Sequence, residues 1–293
     1  MSLGEKRCAF LTTDDLEGFF VYDHLARRPL ARLGWQVDDV PWRASEVRWD
    51  DYRVVVIRSP WDYQGDPERF LEVLEEIERS SALLANSLRI VRWNIEKSYL
   101  RDLEARQVTI VPTAWRDRLT REGLDELFET LASDEIVIKP IVGANADHAF
   151  RLRRDSHETE LRAAVDTFAQ WRLLAQPFVD SVVGLGEFSL FWFGGAYSHA
   201  IIKRPKTGDF RVQEEHGGVI RAVDPDPDLI EAGQRAIDAV DEPLLYARVD
   251  LVRLADRRPA LMELELIEPS LYFSYDAESP GRFADAVEAL AGD

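Results

Sequence analysis

The first 85 residues alternate between two hydrophobic periods, and this alternation constrains the fold more than any other feature of the chain. Short runs rich in β-branched and other apolar residues occur at Cys8–Thr13, Trp35–Val40, Arg53–Arg58 and Ala82–Ala85. Between them, apolar residues recur at helical spacing near Asp23–Leu33 and Pro67–Arg79. A strand–helix–strand order with short connections predicts a parallel sheet with helices on its faces. The working loops of such a sheet leave the carboxyl ends of its strands, here Thr12–Asp15 and Arg58–Tyr63.

The rest of the chain breaks that rhythm. Asn94–Arg106 reads as a helix opened by an Asn cap with Glu96 in its first turn. Val108–Ala114, which contains Pro112, reads as extended. A compact unit follows: helix Arg121–Ala132, strand Glu135–Pro140, loop Ile141–Asp147, strand His148–Leu152, helix Ser156–Trp171 and strand Leu173–Val179. Beyond it come a hairpin, Glu187–Phe193 with Ala196–Lys203, and the polar loop Pro205–Gly218. Helix Asp228–Val240, strands Tyr246–Leu254 and Ala260–Ile267, and helix Phe283–Leu290 complete the chain. The expected fold class is therefore α/β followed by α+β, in parts spanning 1–93, 94–180 and 181–293.

The most informative segment is the last hairpin. Polar and apolar residues alternate in Arg248-Val249-Asp250-Leu251 and in Met262-Glu263-Leu264-Glu265. Side chains two apart share a face of a strand, so Arg248, Asp250, Glu263 and Glu265 lie together. With Ala255–Arg258 as a four-residue turn, Asp250 faces Glu263 and Arg248 faces Glu265. Converging carboxylates repel unless a cation sits between them. Oxygen-only ligands suit Mg²⁺, which takes one or two carboxylates plus phosphate oxygens. The other reading is a solvated face with an Arg248–Glu265 cross-strand pair. Spacing leaves both open.

Charge narrows the partners. The chain has 54 acidic against 36 basic residues, a formal charge of −18, so it repels nucleic acid backbones. The 18 acids and 18 bases of residues 86–213 balance, whereas residues 214–293 hold 19 acids and 7 bases. Only five bases are lysines: Lys6, Lys97, Lys139, Lys203 and Lys206. In a chain that uses Arg by default, a Lys at a strand end or helix start marks a need for a compact point charge, or else mere drift in codon usage.

Cys8, the single cysteine, excludes an intrachain disulfide and reads as a buried strand thiol. No apolar stretch of roughly 7–15 residues follows the first charges, so no signal peptide is expected. Phe188–Ile202 is too short to span a bilayer. A cytoplasmic protein without membrane partner is expected, and homodimerisation stays open.

Lys139 ends the apolar strand Ile136–Pro140 before the small residues Gly143, Ala144, Asn145 and Ala146. Such a loop brings backbone N–H groups to a phosphate while the lysine neutralises it; a strand-end lysine reaching water is the alternative. Gln176-Pro177-Phe178-Val179 ends another strand and either offers its backbone edge to a planar base or simply stops.

The order of these pieces resembles that of the ATP-grasp ligases: Lys97, Lys139, Gln176–Val179, Glu187, Lys203, Arg211, Arg248-x-Asp250, Glu263-x-Glu265. Glu135–Leu152, Ala175–Val179 and Met262–Pro269 are similar to prokaryotic glutathione synthetase, and Arg248-x-Asp250 to the D-alanine–D-alanine ligase signature. Arg58-Ser59-Pro60-Trp61-Asp62-Tyr63 and Val91–Lys97 resemble a narrower subgroup, which includes the cycloserine-forming O-ureido-serine cyclo-ligase.

The resemblance implies an ATP-grasp fold behind an N-terminal parallel-sheet (pre-ATP-grasp) domain, with ATP and two Mg²⁺ ions between two lobes. Lys97, Lys139, Gly143 and Ala144 then meet phosphates. Gln176, Phe178 and Val179 hold adenine, and Glu187 the ribose. Lys203 and Arg211 complete the phosphate and substrate contacts. Asp250, Glu263 and Glu265 bind metal, and Arg248 stabilises the oxyanion. Two departures stand out: Glu265 replaces the family's usual Asn, and the loop after Lys139 has one glycine where relatives often have several.

The implied reaction is ligation of a carboxylate to an amine through an acylphosphate. Positioning and charge neutralisation do most of that work. A nucleotide-binding scaffold without turnover is the competing reading, and the three convergent acids speak against it. Ligation onto a protein tail is a third. Arg58, Trp61, Asp62, Tyr63, Asp14, Asp15, Ser270 and Tyr272 are the expected specificity residues for a small amino-acid-like substrate, with Arg58 on its carboxylate and Asp14 or Asp62 on its amino group. Alternatively, Trp61 and Tyr63 pack the lobe interface. His148, His199 and His216 line the cleft or serve packing.

Overall fold

The structure is a computed structural model that describes residues 6–143 and 147–292. Strands β1 (Lys6–Thr12), β2 (Trp35–Pro41), β3 (Val54–Ser59) and β4 (Leu83–Ala85) form a parallel sheet ordered β2-β1-β3-β4. Alternate residues of β1 serve opposite faces. Cys8 and Phe10 meet Ala26 and Leu30 of α1 (His24–Arg32), whereas Ala9 and Leu11 meet Phe70, Val73, Leu74 and Ile77 of α2 (Pro67–Glu78). Asp66 starts α2 by accepting from the Arg69 N–H at 3.2 Å, with Pro67 fixing the first turn.

The expected helix Asn94–Arg106 is instead two helices, α3 (Leu88–Asn94) and α4 (Tyr99–Ala105). Ser87 caps α3, and Asn94 ends it rather than opening its successor. The Asn94 amide is drawn to the last strand, where Nδ2 donates to the Leu264 carbonyl and Oδ1 accepts from the Leu266 N–H, both at 2.9 Å. Lys97 lies in the bend between the two helices.

The middle unit has β5 (Ala114–Arg116), α5 (Arg121–Thr130), β6 (Glu135–Pro140), β7 (Phe150–Arg153), α6 (Glu158–Thr167) and β8 (Leu173–Pro177). Its antiparallel sheet is ordered β5-β8-β6-β7. Ile136 and Ile138 face α5 and α6 with Leu124, Phe128 and Leu161. Val137, Lys139 and Gln176 line the cleft on the opposite face.

After α7 (Ser181–Gly184), strands β9 (Glu187–Phe193), β10 (Ala196–Arg204), β11 (Val219–Ala222), β12 (Tyr246–Arg253) and β13 (Pro259–Glu265) build a five-stranded antiparallel sheet ordered β11-β10-β9-β12-β13. β11 was not foreseen. Gly194 and Gly195, both with positive φ, make the two-residue turn of β9–β10. One sheet face packs α8 (Pro227–Asp238), the other α9 (Ser279–Ala291) and α1. In α8 a Cβ on Gly233 would lie 2.2 Å from the Trp192 ring, so only glycine fits.

The β12–β13 register corrects the expected turn while keeping its consequence. Arg253 pairs with Pro259, and the turn is three residues, Ala255–Arg257, with Arg257 at positive φ. A bulge between Leu251 and Asp250 then absorbs Met262, restoring Asp250 opposite Glu263 and Arg248 opposite Glu265.

Candidate active site

One cleft opens between the middle sheet and the five-stranded sheet, with the Trp61 loop and the segment after β13 along its side. Register brings its charged groups together. Glu187 and Lys203 are cross-strand partners and form an ion pair at 2.6 Å, and the Lys203 ammonium also lies 3.4 Å from Asp250. Asp250, opposite Ser189, accepts from its hydroxyl and from Arg248. Arg248 also pairs with Glu265, so its Nε and Nη2 are engaged and Nη1 has no partner among the described residues. The Lys97 ammonium bridges the facing walls, donating to the Gly143 carbonyl at 2.8 Å and to Glu263 at 2.5 Å.

Lys139 has neither hydrogen bond nor ion pair to another described residue. Burial lowers its pKa, with nearby Lys97 adding repulsion, against the attraction of Glu263. Burial also opposes the charge on Asp250, but Arg248, Lys203 and Ser189 outweigh it and hold the carboxyl down at about 2. For Glu265 the balance reverses: burial, with repulsion from Asp250 and Glu263, lifts it to about 8 despite Arg248.

The apolar end of the cleft is lined by Val179, Val182, Val212 and Met262, with Val111 and Val252 packed in the same cluster behind them. Gln176 is buried and donates to Thr113 Oγ1 at 3.0 Å, while the Phe178 ring lies under the Arg151 guanidinium at 3.7 Å. An apolar slot beside a row of cations and acids can receive a flat base at one end and a polyphosphate at the other. Among the described residues no three His, Cys, Asp or Glu side chains are gathered as a metal cage. Asp250, Glu263 and Glu265 are instead adjacent oxygen donors neutralised by Arg248, Lys203 and Lys97, which fits Mg²⁺ held by one or two carboxylates and completed by phosphate oxygens.

Lys97, Lys139, Gly143, Gln176, Phe178, Val179, Glu187, Lys203, Arg211, Arg248, Asp250, Glu263, Glu265, Trp61, Tyr63 and Ser270 all line this cleft. Ala144 lies outside the described residues. Arg211 reaches the cleft wall but its guanidinium is turned back onto Asp209, at 2.9 Å. Four expected substrate contacts are not brought to the cleft, among them Asp15, which is exposed and accepts from the Glu17 N–H at 2.8 Å. Arg58 is 1% exposed and is held by Asp23 and the Pro269 carbonyl. Asp62 accepts from the Trp42 indole at 2.6 Å and pairs with Arg43. Asp14 is exposed and lines no part of the cleft. Among the histidines, His199 is core and His148 packs on Trp171.

Sequence reasoning missed Phe19, Tyr99 and Glu268 on the cleft wall. Glu268 follows the end of β13 and falls outside the strand alternation that revealed Glu263 and Glu265; only its place before Pro269 could have drawn notice.

The family model "D-cycloserine synthetase DcsG, N-terminal domain" matches residues 8–86. The cycloserine biosynthesis protein DcsG of Streptomyces lavendulae is 33% identical over 270 residues, covering 87% of this chain and 89% of that protein. The crystal structure of D-cycloserine synthetase DcsG superposes with a TM-score of 0.86 and 29% identity, over 97% of this chain and 99% of the other. D-alanine–D-alanine ligase from Bacillus anthracis shares the fold, with a TM-score of 0.67 and 14% identity over 98% and 97% of the two chains.

The fold and the cleft define an ATP-grasp ligase, an enzyme that drives ligation with ATP. Within that class the chain belongs to the D-cycloserine synthetase (DcsG) family. No helix among the described residues is long and apolar enough to cross a membrane.

Proposed function

We propose that the chain activates the carboxylate of a small amino-acid-like substrate as an acylphosphate, and that a nitrogen of the same substrate closes a ring of the cycloserine type. The product class comes from the names of the relatives. The observation that carries the chemistry is the meeting of Lys97, Lys139, Lys203, Arg248, Asp250, Glu263 and Glu265 around one cleft.

In this reading residues 94–180 and 181–293 are the lobes that hold ATP, and 1–93 supply the substrate wall. Val179 and Met262 flank adenine, Gln176 and Phe178 border it, and Glu187 takes the ribose. Lys97 and Lys139 neutralise phosphates, joined by the backbone at Gly143, and Lys203 and Arg211 complete the phosphate and substrate contacts. Asp250, Glu263 and Glu265 hold two Mg²⁺ ions, which supply charge neutralisation to the triphosphate. A carboxylate oxygen attacks the γ-phosphorus, and the bond to the bridging oxygen of ADP breaks. Nitrogen then attacks the acyl carbon, phosphate leaves, and the nitrogen loses its proton. Arg248 Nη1 stabilises the oxyanion formed in between. No side chain acts as covalent nucleophile.

The test is ADP release with Mg²⁺, ATP and a panel of amino acids, dipeptides and O-ureido-serine. Lys139→Ala lowers turnover by roughly 100-fold, the loss typical of one electrostatic contact to developing charge. Unchanged turnover in that variant removes the phosphate role of Lys139. ATP binding without ADP release across the panel makes the chain a nucleotide-binding scaffold.

A further inference from the structure

Four carboxylates of the cleft wall have an Arg or Lys partner: Glu187 and Asp250 share Lys203, Glu263 has Lys97, and Glu265 has Arg248. Glu268, on the same wall, has no ion pair among the described residues. Its carboxylate meets only neutral donors, the Tyr63 hydroxyl and the Gln64 amide at 3.4 Å. The Trp61 indole fixes the Glu268 backbone by donating to its carbonyl at 2.9 Å. Aromatic residues adjoin the position: Tyr63 hydrogen-bonds the Glu268 carboxylate, Trp61 holds its backbone and lies 5.3 Å from the Phe19 ring, and all three line the cleft. Burial outweighs the Tyr63 hydroxyl and the attraction of Lys97 and Arg248, neither of which pairs with it, and pushes the Glu268 carboxyl up to about 7.

A desolvated carboxylate among aromatic faces is a seat for an organic cation, because carboxylate and ring quadrupoles both attract it. We infer that Glu268, flanked by Trp61, Phe19 and Tyr63, binds the ammonium group of the substrate and selects α-amino acids over their deaminated analogues. The inference rests on the ligase reading and refines it. Glu268 lies close enough to Arg248 to feel its charge, so a zwitterion with its ammonium on Glu268 directs its carboxylate towards the free Nη1 of Arg248. The other acids suited by sequence are excluded by position, since Asp14 is off the cleft and Asp62 is occupied by Trp42 and Arg43. Glu214, also on the wall, is held by the hydroxyls of Tyr22 and Tyr275.

Calorimetry on the full chain, loaded with Mg²⁺ and a non-hydrolysable ATP analogue, tests this with two probes: O-ureido-serine and 3-(ureidooxy)propanoate, which lacks the amino group. The wild-type protein binds the amino compound at least 30-fold more tightly. Glu268→Gln brings the two probes within threefold of each other and leaves nucleotide affinity within threefold of wild type. Glu268→Asp keeps part of the discrimination and guards against a misfolded Gln variant. Equal discrimination in wild type and Glu268→Gln overturns the assignment, as does its absence, or the absence of binding, in wild type. Failure of the ligase reading looks different: selective binding persists, but no ADP forms when ATP replaces the analogue.

Discussion

Arg58 stands at the carboxyl end of β3, where a parallel sheet usually offers its recognition groups, yet it serves cohesion. Its guanidinium pairs with Asp23 at 3.0 Å and donates to the Pro269 carbonyl at 2.9 Å. Asp23 Oδ2 has no hydrogen-bond partner among the described residues, so Arg58 is the main compensation for a buried carboxylate. Arg58→Met therefore costs about 3–5 kcal/mol in urea unfolding, the range for stranding one member of a buried pair. Adding Asp23→Asn recovers much of that loss; equal stability of single and double variants contradicts the account. His199 shows the same logic with a proton. It is stacked on Phe191 with ring centroids 4.3 Å apart, and Nε2 donates to the Leu271 carbonyl at 3.1 Å, which leaves Nδ1 to accept from Ser198. Burial lowers its pKa to about 4. The unfolded chain takes this proton below about pH 6.5 and the folded chain refuses it until about 4, so stability falls as pH falls through that window. The contribution lost by pH 5 is about 2 kcal/mol. In His199→Gln the decline between pH 7.5 and 5 is shallower by that amount, and an identical slope removes the assignment.

At the scale of elements, the β12–β13 hairpin shows what a pattern can and cannot reveal. Strict alternation places Met262 beside Leu264 on the core face, whereas the bulge turns it into the cleft against Val179 and Val212. Deleting Met262 extends the three-residue-turn register straight through, so Asp250 still faces Glu263 and the fold survives. The cleft loses one apolar side chain worth roughly 1.5–3 kcal/mol, and ATP affinity drops at least about tenfold. Circular dichroism and nucleotide titration check this; unaltered affinity in a folded deletion variant rules Met262 out of the base slot. The carboxylate face itself was legible because side-chain period and cross-strand pairing are local consequences of sequence. The short turn and the bulge were not, because they cancel in the register that matters. Nor was the fate of Asn94, whose helix-capping chemistry was overridden by a tertiary partner in β13, or that of Arg58, whose partner Pro269 is 211 residues away. Lys139 was legible as a strand-end lysine, but its lack of a neutralising partner required all three facing walls.

Over the whole molecule, the first and third sheets are bolted together while the middle sheet stands across the cleft. Asn86 donates to the Tyr246 and Leu266 carbonyls at 3.0 and 2.8 Å, and the Tyr246 hydroxyl meets the carbonyls of Ile57 and Ile267 at 2.9 and 2.7 Å. The middle unit reaches this body through fewer polar ties. These include the Lys97 ammonium to the Gly143 carbonyl, the Lys97 N–H to the Ile141 carbonyl, and Arg172 to Glu96. Residues 86–213, which include it, balance 18 acids against 18 bases in a chain of net −18, so this wall is the one best able to accept a polyanion. A nucleotide bound between the walls thus contacts both bodies and stabilises their union. At 100 times its dissociation constant, ATP with Mg²⁺ adds about 2.7 kcal/mol, a rise in melting temperature of roughly 5 °C for a chain of this size. Removing Mg²⁺ with EDTA, or substituting Lys139→Ala, abolishes most of that rise. Sodium triphosphate reproduces part of it, since the cations bind phosphate while the apolar slot stays empty. An equal shift with and without Mg²⁺, in wild type and in Lys139→Ala, contradicts the placement of the phosphates between these walls.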